Sequence, residues 1–110
     1  MSHPLFDLNG HVALVSGAAS GMGRAMALGF AEAGADLMLA DINLTGMEDT
    51  AQEIELLGRR AVPVVCDVSN GAQIRAMFAS LDENYGRIDV LANVAAVSYT
   101  HLTLPTILLV

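Results

Sequence analysis

Four short apolar runs alternate along this chain with longer stretches of helical period, and few folds accept that alternation. The runs are residues 12–15, 37–40, 62–66 and 88–94. They are short and rich in Val, Ile, Leu and Ala, so they read as strands buried on both faces rather than as amphipathic ones. The segments between them carry helix signals. In the first, Met22, Met26, Gly29, Phe30 and Ala33 fall on one stripe, and Gly34 supplies the stop. In the second, Thr45 can cap a polar-faced helix that runs to about Leu57 and ends at Gly58. In the third, Ser69 or Asn70 can cap a helix to about Tyr85, followed by Gly86. Pro63, near the start of the third run, suits a strand at a sheet edge.

The order βαβαβαβ requires parallel strands joined by right-handed helical crossovers. The expected fold class is therefore α/β: a Rossmann-type doubly wound parallel sheet in the order 3-2-1-4, truncated after the fourth strand. Its switch point lies between strands one and four, and ligands bind there, outside the carboxyl ends of the strands.

The first strand passes into the first helix through Gly17-Ala18-Ala19-Ser20-Gly21-Met22-Gly23. Gly17 permits a sharp turn off the strand, and a side chain at Gly21 would block a pyrophosphate from the backbone N–H groups. Gly23 allows close packing of the helix, whose N-terminus offers its dipole to an anion. Met22 lies inside this loop and can reach a cofactor through its backbone. Asp41 follows Gly23 by 18 residues, at the end of the second strand. A carboxylate there can accept hydrogen bonds from both hydroxyls of an adenosine ribose. Its charge would repel a 2′-phosphate, and Ile42 and Asn43 bring no positive charge. Arg24 is the nearby cation that could soften that repulsion. The expected cofactor is NAD in preference to NADP.

Ser16-Gly17-x-x-x-Gly21-x-Gly23 resembles the Thr-Gly-x-x-x-Gly-x-Gly of the short-chain dehydrogenases/reductases (SDR family), with serine in place of threonine. The resemblance covers about residues 5–96. It continues in Asp67-Val68, where the family's aspartate contacts the adenine, and in residues 88–96, which resemble the family's fourth-strand segment ending Asn-Asn-Ala-Gly. Asn93 matches the first asparagine of that segment, whereas Val94 and Ala96 depart from it. The candidate cofactor-binding residues are thus Gly17, Ser20, Gly21, Met22, Gly23, Asp41, Asp67, Val68 and Asn93.

The resemblance implies an oxidoreductase that moves hydride between a nicotinamide cofactor and a secondary alcohol or ketone. The N-terminal segment is similar to members acting on sugar acids or 3-oxoacyl thioesters. It also implies a small-molecule substrate and a homo-oligomeric parent protein. The family's chemistry rests on a serine and a Tyr-x-x-x-Lys pair. All five basic residues here, Arg24, Arg59, Arg60, Arg75 and Arg87, are arginines, so that pair is absent. Tyr99 is followed four positions later by Thr103. No catalytic residue is assigned, and the chain as given is expected to be inactive. Residues 97–106 resemble a translated sequencing-library transposase adapter, and the junction accounts for Ala96 where the family has glycine. The expected organisation is the front part of an NAD-binding domain over 1–96 and a non-native tail over 97–110.

Composition bounds the remaining possibilities. A chain of 110 residues with 54% hydrophobic and 15% charged residues is long and apolar enough for one cored domain, not a disordered segment. A net charge of −7 disfavours nucleic acid or an anionic membrane as partner. No apolar stretch approaches the ~18 residues of a membrane span, and residues 1–10 lack the blocks of a signal peptide. The single cysteine, Cys66, cannot form an internal disulfide, which makes a reducing cytoplasm the expected location. Cys66 reads as a small core residue, Asp89 as structural, and Glu48, Asp49, Glu53 and Glu55 as a solvated helix face. His3, His11 and His101 have no ligand-like spacing, so no metal site is expected. Two other functions compete: a nucleotide-binding module or inert fragment, and an S-adenosylmethionine-dependent methyltransferase, against which the glycine spacing and the Asn93 segment argue.

Overall fold

β1 (Val12–Ser16), α1 (Gly21–Glu32), β2 (Asp36–Asp41), α2 (Leu44–Leu56), β3 (Ala61–Val65), α3 (Gly71–Asn84) and β4 (Val90–Asn93) follow one another along the chain. The structure is a computed structural model that describes residues 7–94 and the backbone of 108–109. Every strand pair is parallel, and the sheet order is β3-β2-β1-β4-β5, where β5 is Leu108–Leu109. The expected 3-2-1-4 order is therefore present, with Leu14 of β1 centred between Met38 and Leu91. Beyond those four strands, the two-residue β5 pairs with Val90 and Leu91. An open parallel edge leaves N–H and C=O groups that an extended segment can satisfy. The rest of the tail read over 97–110 lies outside the described residues, as do Tyr99, His101 and Ala96. No helix among the described residues is long and apolar enough to cross a membrane.

Alternation along the strands divides the core into two layers. Ala13, Val15, Leu37, Leu39, Val90 and Ala92 face α1 and α2, where Ala27, Phe30, Ala31, Met47 and Ile54 complete one cluster. Val12, Leu14, Met38, Ala40 and Leu91 face α3, where Ile74, Met77 and Leu81 complete the other. β1 is buried along its whole length because it has strands on both sides and helices on both faces.

Several local expectations shift. Of the expected α1 stripe, Phe30 and Ala33 are buried and Met26 packs partly buried against the core, whereas Met22 is 68% exposed and Gly29 is exposed; Gly23, Ala27 and Ala31 complete the buried face. Gly23 is buried because it seats on the Gly17 carbonyl of the preceding turn. α2 is capped by Asn43, whose side chain accepts from the Gly46 N–H at 3.1 Å, so Thr45 lies inside the first turn. α3 takes Asn70 as its cap, through the Gln73 N–H at 3.1 Å. Both caps satisfy an N–H that the helix cannot. β3 starts and ends one residue earlier than the apolar run, and its edge position tolerates Pro63, which has no N–H to give. β4 begins at Val90 because Asp89 serves as its anchor. The Asp89 carboxylate accepts from the Val12 N–H at 2.8 Å and from Arg87 at 2.6 Å. Burial pulls the Asp89 carboxyl upward, but those bonds outweigh it and hold the group below the ordinary carboxylate range. Its role is structural.

Candidate cofactor site at the strand ends

The site is built from three consecutive strand-to-helix turns. At the first, the Gly17 and Ala18 N–H groups both donate to the Ala40 carbonyl, at 2.8 and 3.2 Å, which bends the chain off β1. Gly17 has φ 75°, a conformation that other residues rarely adopt. Ser20 caps α1: its hydroxyl accepts from the Gly23 N–H at 3.1 Å and donates to the Gly17 carbonyl at 2.6 Å. A Cβ at Gly23 would stand 2.0 Å from the Gly17 carbonyl oxygen. The helix start is thus pressed against the turn that precedes it, and not only against the sheet. A Cβ at Gly21, in contrast, meets nothing within 4 Å and would fill space in front of the helix end. In the first turn of a helix the N–H groups have no intrahelical acceptor, so those of Gly21 and Met22 face the position an anion would take.

At the second turn, Asp41 ends β2 with its carboxylate bridging two segments. One oxygen accepts from the Ala19 N–H of the glycine loop and the other from the Asn43 N–H, both at 3.0 Å. The third turn repeats the arrangement on a smaller scale. Asp67 accepts from the Ser69 N–H at 2.9 Å and the Ser69 hydroxyl at 2.6 Å. Those bonds hold its carboxyl below the usual range. Between the three turns lies an open cleft of about 220 Å³ lined by Gly17, Asp41, Ile42, Cys66, Asp67 and Val68.

Four of the nine candidate residues, Gly17, Asp41, Asp67 and Val68, therefore meet in one cleft, and Ser20, Gly21, Met22 and Gly23 form the helix start beside it. Asn93 sits apart, at the end of β4, where the buried Ser16 hydroxyl donates to its side-chain oxygen at 2.9 Å. Cys66 is buried as expected, and desolvation, then the neighbouring Asp67 charge, push its thiol up. Arg24 does not approach the cleft: it forms an ion pair with Glu53 on α2.

Two contributors escape a reading of motifs. Ile42 projects at the rim of the cleft with 69% of its surface exposed. Thr50 is fully buried in α2, and its hydroxyl, 3.2 Å from the carbonyls of both Ala18 and Gly46, ties that helix to the glycine loop. The available signal for Thr50 is a hydroxyl within the buried series Met47, Thr50, Ala51 and Ile54.

Comparison with known proteins places the chain by its sequence and fold. The family model described as short chain dehydrogenase matches residues 11–106. "Dehydrogenase/reductase SDR family member 1" of Homo sapiens is 43% identical over 87 residues, which are 78% of this chain and 28% of that protein. A solved short-chain type dehydrogenase/reductase from Mycobacterium marinum superposes with a TM-score of 0.79 at 38% identity, covering 92% of this chain and 42% of that one. Carveol dehydrogenase from Mycobacterium avium in complex with NAD gives a TM-score of 0.77 at 31% identity, covering 82% of this chain and 37% of that one. The chain spans less than half the length of each of these proteins. The methyltransferase alternative is thereby set aside. The family model over most of the chain, the 43% identical relative and the superposed fold agree, and the chain belongs to the short-chain dehydrogenase family.

Proposed function

We propose that this chain carries the adenosine-binding part of an NAD-dependent oxidoreductase acting on a secondary alcohol or ketone. Asp41 carries the reading. Its carboxylate stands at the cleft, fixed by the Ala19 and Asn43 N–H groups, with lone pairs left for a ribose diol. Arg24, the cation closest in sequence to the glycine loop, is engaged by Glu53, so a 2′-phosphate would face Asp41 without compensation.

The residues present fit a dinucleotide. Asp41 would hold the ribose, Asp67 and Val68 the adenine, and the first-turn N–H groups of Gly21 and Met22 the pyrophosphate, with the open space at Gly21 leaving room for it. Asn93, held by Ser16, marks the side of the switch point where the other half would extend. When bound, the nicotinamide supplies the hydride acceptor. This chain's own residues bind and orient; without lysine it has no Tyr-x-x-x-Lys pair to move the alcohol proton. The chain as given is therefore a nucleotide-binding module, and the complete parent is the enzyme. The native segment is 1–96, with 97–110 a non-native tail, which the uninterrupted source reading frame would check.

Titration calorimetry of the purified chain with NAD and NADP tests the reading. NAD should bind more tightly, and Asp41→Ala should remove most of the difference, on the order of 1–3 kcal/mol for a lost hydrogen-bonded charge. Tighter binding of NADP by the unmodified chain would overturn it.

A further inference from the structure

The described methionines differ sharply in exposure. Met38, Met47 and Met77 are fully buried and Met26 is partly buried against the core, whereas Met22 is 68% exposed. Met22 also occupies a particular place. It stands in the first turn of α1, between Gly21, whose Cβ direction is open, and Gly23, which is pressed onto the Gly17 carbonyl. Its two flanking residues, Gly21 and Gly23, carry no side chains that could cover it. The thioether is thus presented to solvent at the helix end that offers free N–H groups.

We propose that Met22 is an oxidative modification site that couples peroxide exposure to dinucleotide binding, an inference that rests on the cofactor reading above. The sulfur lone pair attacks one oxygen of hydrogen peroxide, the O–O bond breaks and an S–O bond forms. Sulfur is oxidised by two electrons, the peroxide is reduced, and the departing hydroxide takes the remaining proton to leave as water. The product places a hydrogen-bond acceptor where an apolar group stood. A sulfoxide oxygen can compete for the first-turn N–H groups and opposes a phosphate that approaches them. A bound dinucleotide would in turn cover the sulfur and slow its oxidation.

The test treats the 110-residue chain with dilute hydrogen peroxide, with and without saturating NAD, and follows each methionine by site-resolved mass spectrometry. Met22 should oxidise well ahead of Met38, Met47 and Met77, and NAD should protect it. Calorimetry should show the oxidised chain binding NAD roughly ten-fold more weakly, about 1.4 kcal/mol, with the far-UV circular dichroism unchanged. Methionine sulfoxide reductases should restore the affinity, and in Met22→Leu the treated and untreated chains should bind alike. Equal oxidation of all methionines, no protection by NAD that demonstrably binds, or affinity lost only in step with the dichroism would overturn the proposal. Failure of the untreated chain to bind NAD would instead overturn the cofactor reading itself.

Discussion

The two ends of the candidate site are held together by different kinds of interaction. At the end proposed to hold adenosine, the contacts are mostly local: Ser20 with Gly17, Asn43 with Asp41, Asn43 with Gly46 and Ser69 with Asp67 each span two or three residues. A few longer ties lock the turns to one another: Ala19 to Asp41 and Thr50 to Ala18 join the first two, and the Cys66 N–H on the Asp41 carbonyl joins the third. At the β4 end, Asn93 is held by the Ser16 side chain across 77 positions of sequence and by its pairing with β1. A site made of consecutive turns carries its geometry with it, whereas one made of distant elements exists only after the sheet has formed. The adenosine end is accordingly detailed in this chain, and the β4 end is a single oriented asparagine.

The largest expected difference between the ends is functional. The purified chain should bind ADP and show no hydride transfer above background on any secondary alcohol, because it lacks the lysine of the family's pair. Turnover measured by NADH absorbance would break the comparison. Gly23→Ala comes next. A Cβ placed 2.0 Å from the Gly17 carbonyl forces α1 away from its turn. The cost should be about 3 kcal/mol, seen as a lowered midpoint in urea and loss of ADP binding. Thr50→Val should act more gently. It removes a hydroxyl whose single proton is shared between the Ala18 and Gly46 carbonyls, while conserving shape. Loosening of the loop should cost about 1–2 kcal/mol, and hydrogen exchange should rise at Ala18 and Ala19 but not at Asn93.

The smallest effect concerns Asp67. Its folded-state carboxyl is held low by the Ser69 hydroxyl and N–H, so the ionised form favours the fold. That contribution is fully present above the titration of an unfolded aspartate near pH ~4 and is lost as pH falls through the lower folded value. Ser69→Ala should move the carboxyl back toward the unfolded value, read by carbon NMR of the side chain, without altering Asn93. An unmoved titration would show that the third turn is organised by something other than Ser69.

At the opposite end of the sheet, Tyr85 shows how little of such anchoring is visible in a sequence. Its hydroxyl donates to the Leu37 carbonyl at 2.7 Å, and the Arg60 guanidinium lies 4.9 Å from its ring centre. Burial pushes its phenol up to about 12, against the smaller opposing pull of Arg60. In the sequence Tyr85 is merely where a helix stops. Nothing local marks the carbonyl 48 residues away that accepts its hydrogen bond.

What the sequence by itself determined is everything that depends on the period of side chains or on the conformation of one residue. The four runs and their parallel order follow from hydrophobic spacing, and the turn at Gly17 follows from a backbone with φ 75° that glycine accepts most easily. Asn70 as a cap was one of two candidates, because both Ser69 and Asn70 have the required side-chain oxygen. Phe30 and Ala33 were legible as buried from the helical period, but the tertiary structure decided that Gly23, seated on Gly17, is buried and Met22 exposed. It also turned Arg24 toward Glu53, placed Thr50 under the glycine loop and gave β4 a neighbour in Leu108–Leu109. These outcomes share one physical cause. A period or a φ angle is a property of the chain at one place, whereas a close approach, an ion pair or a filled edge depends on segments that meet only when the sheet is assembled.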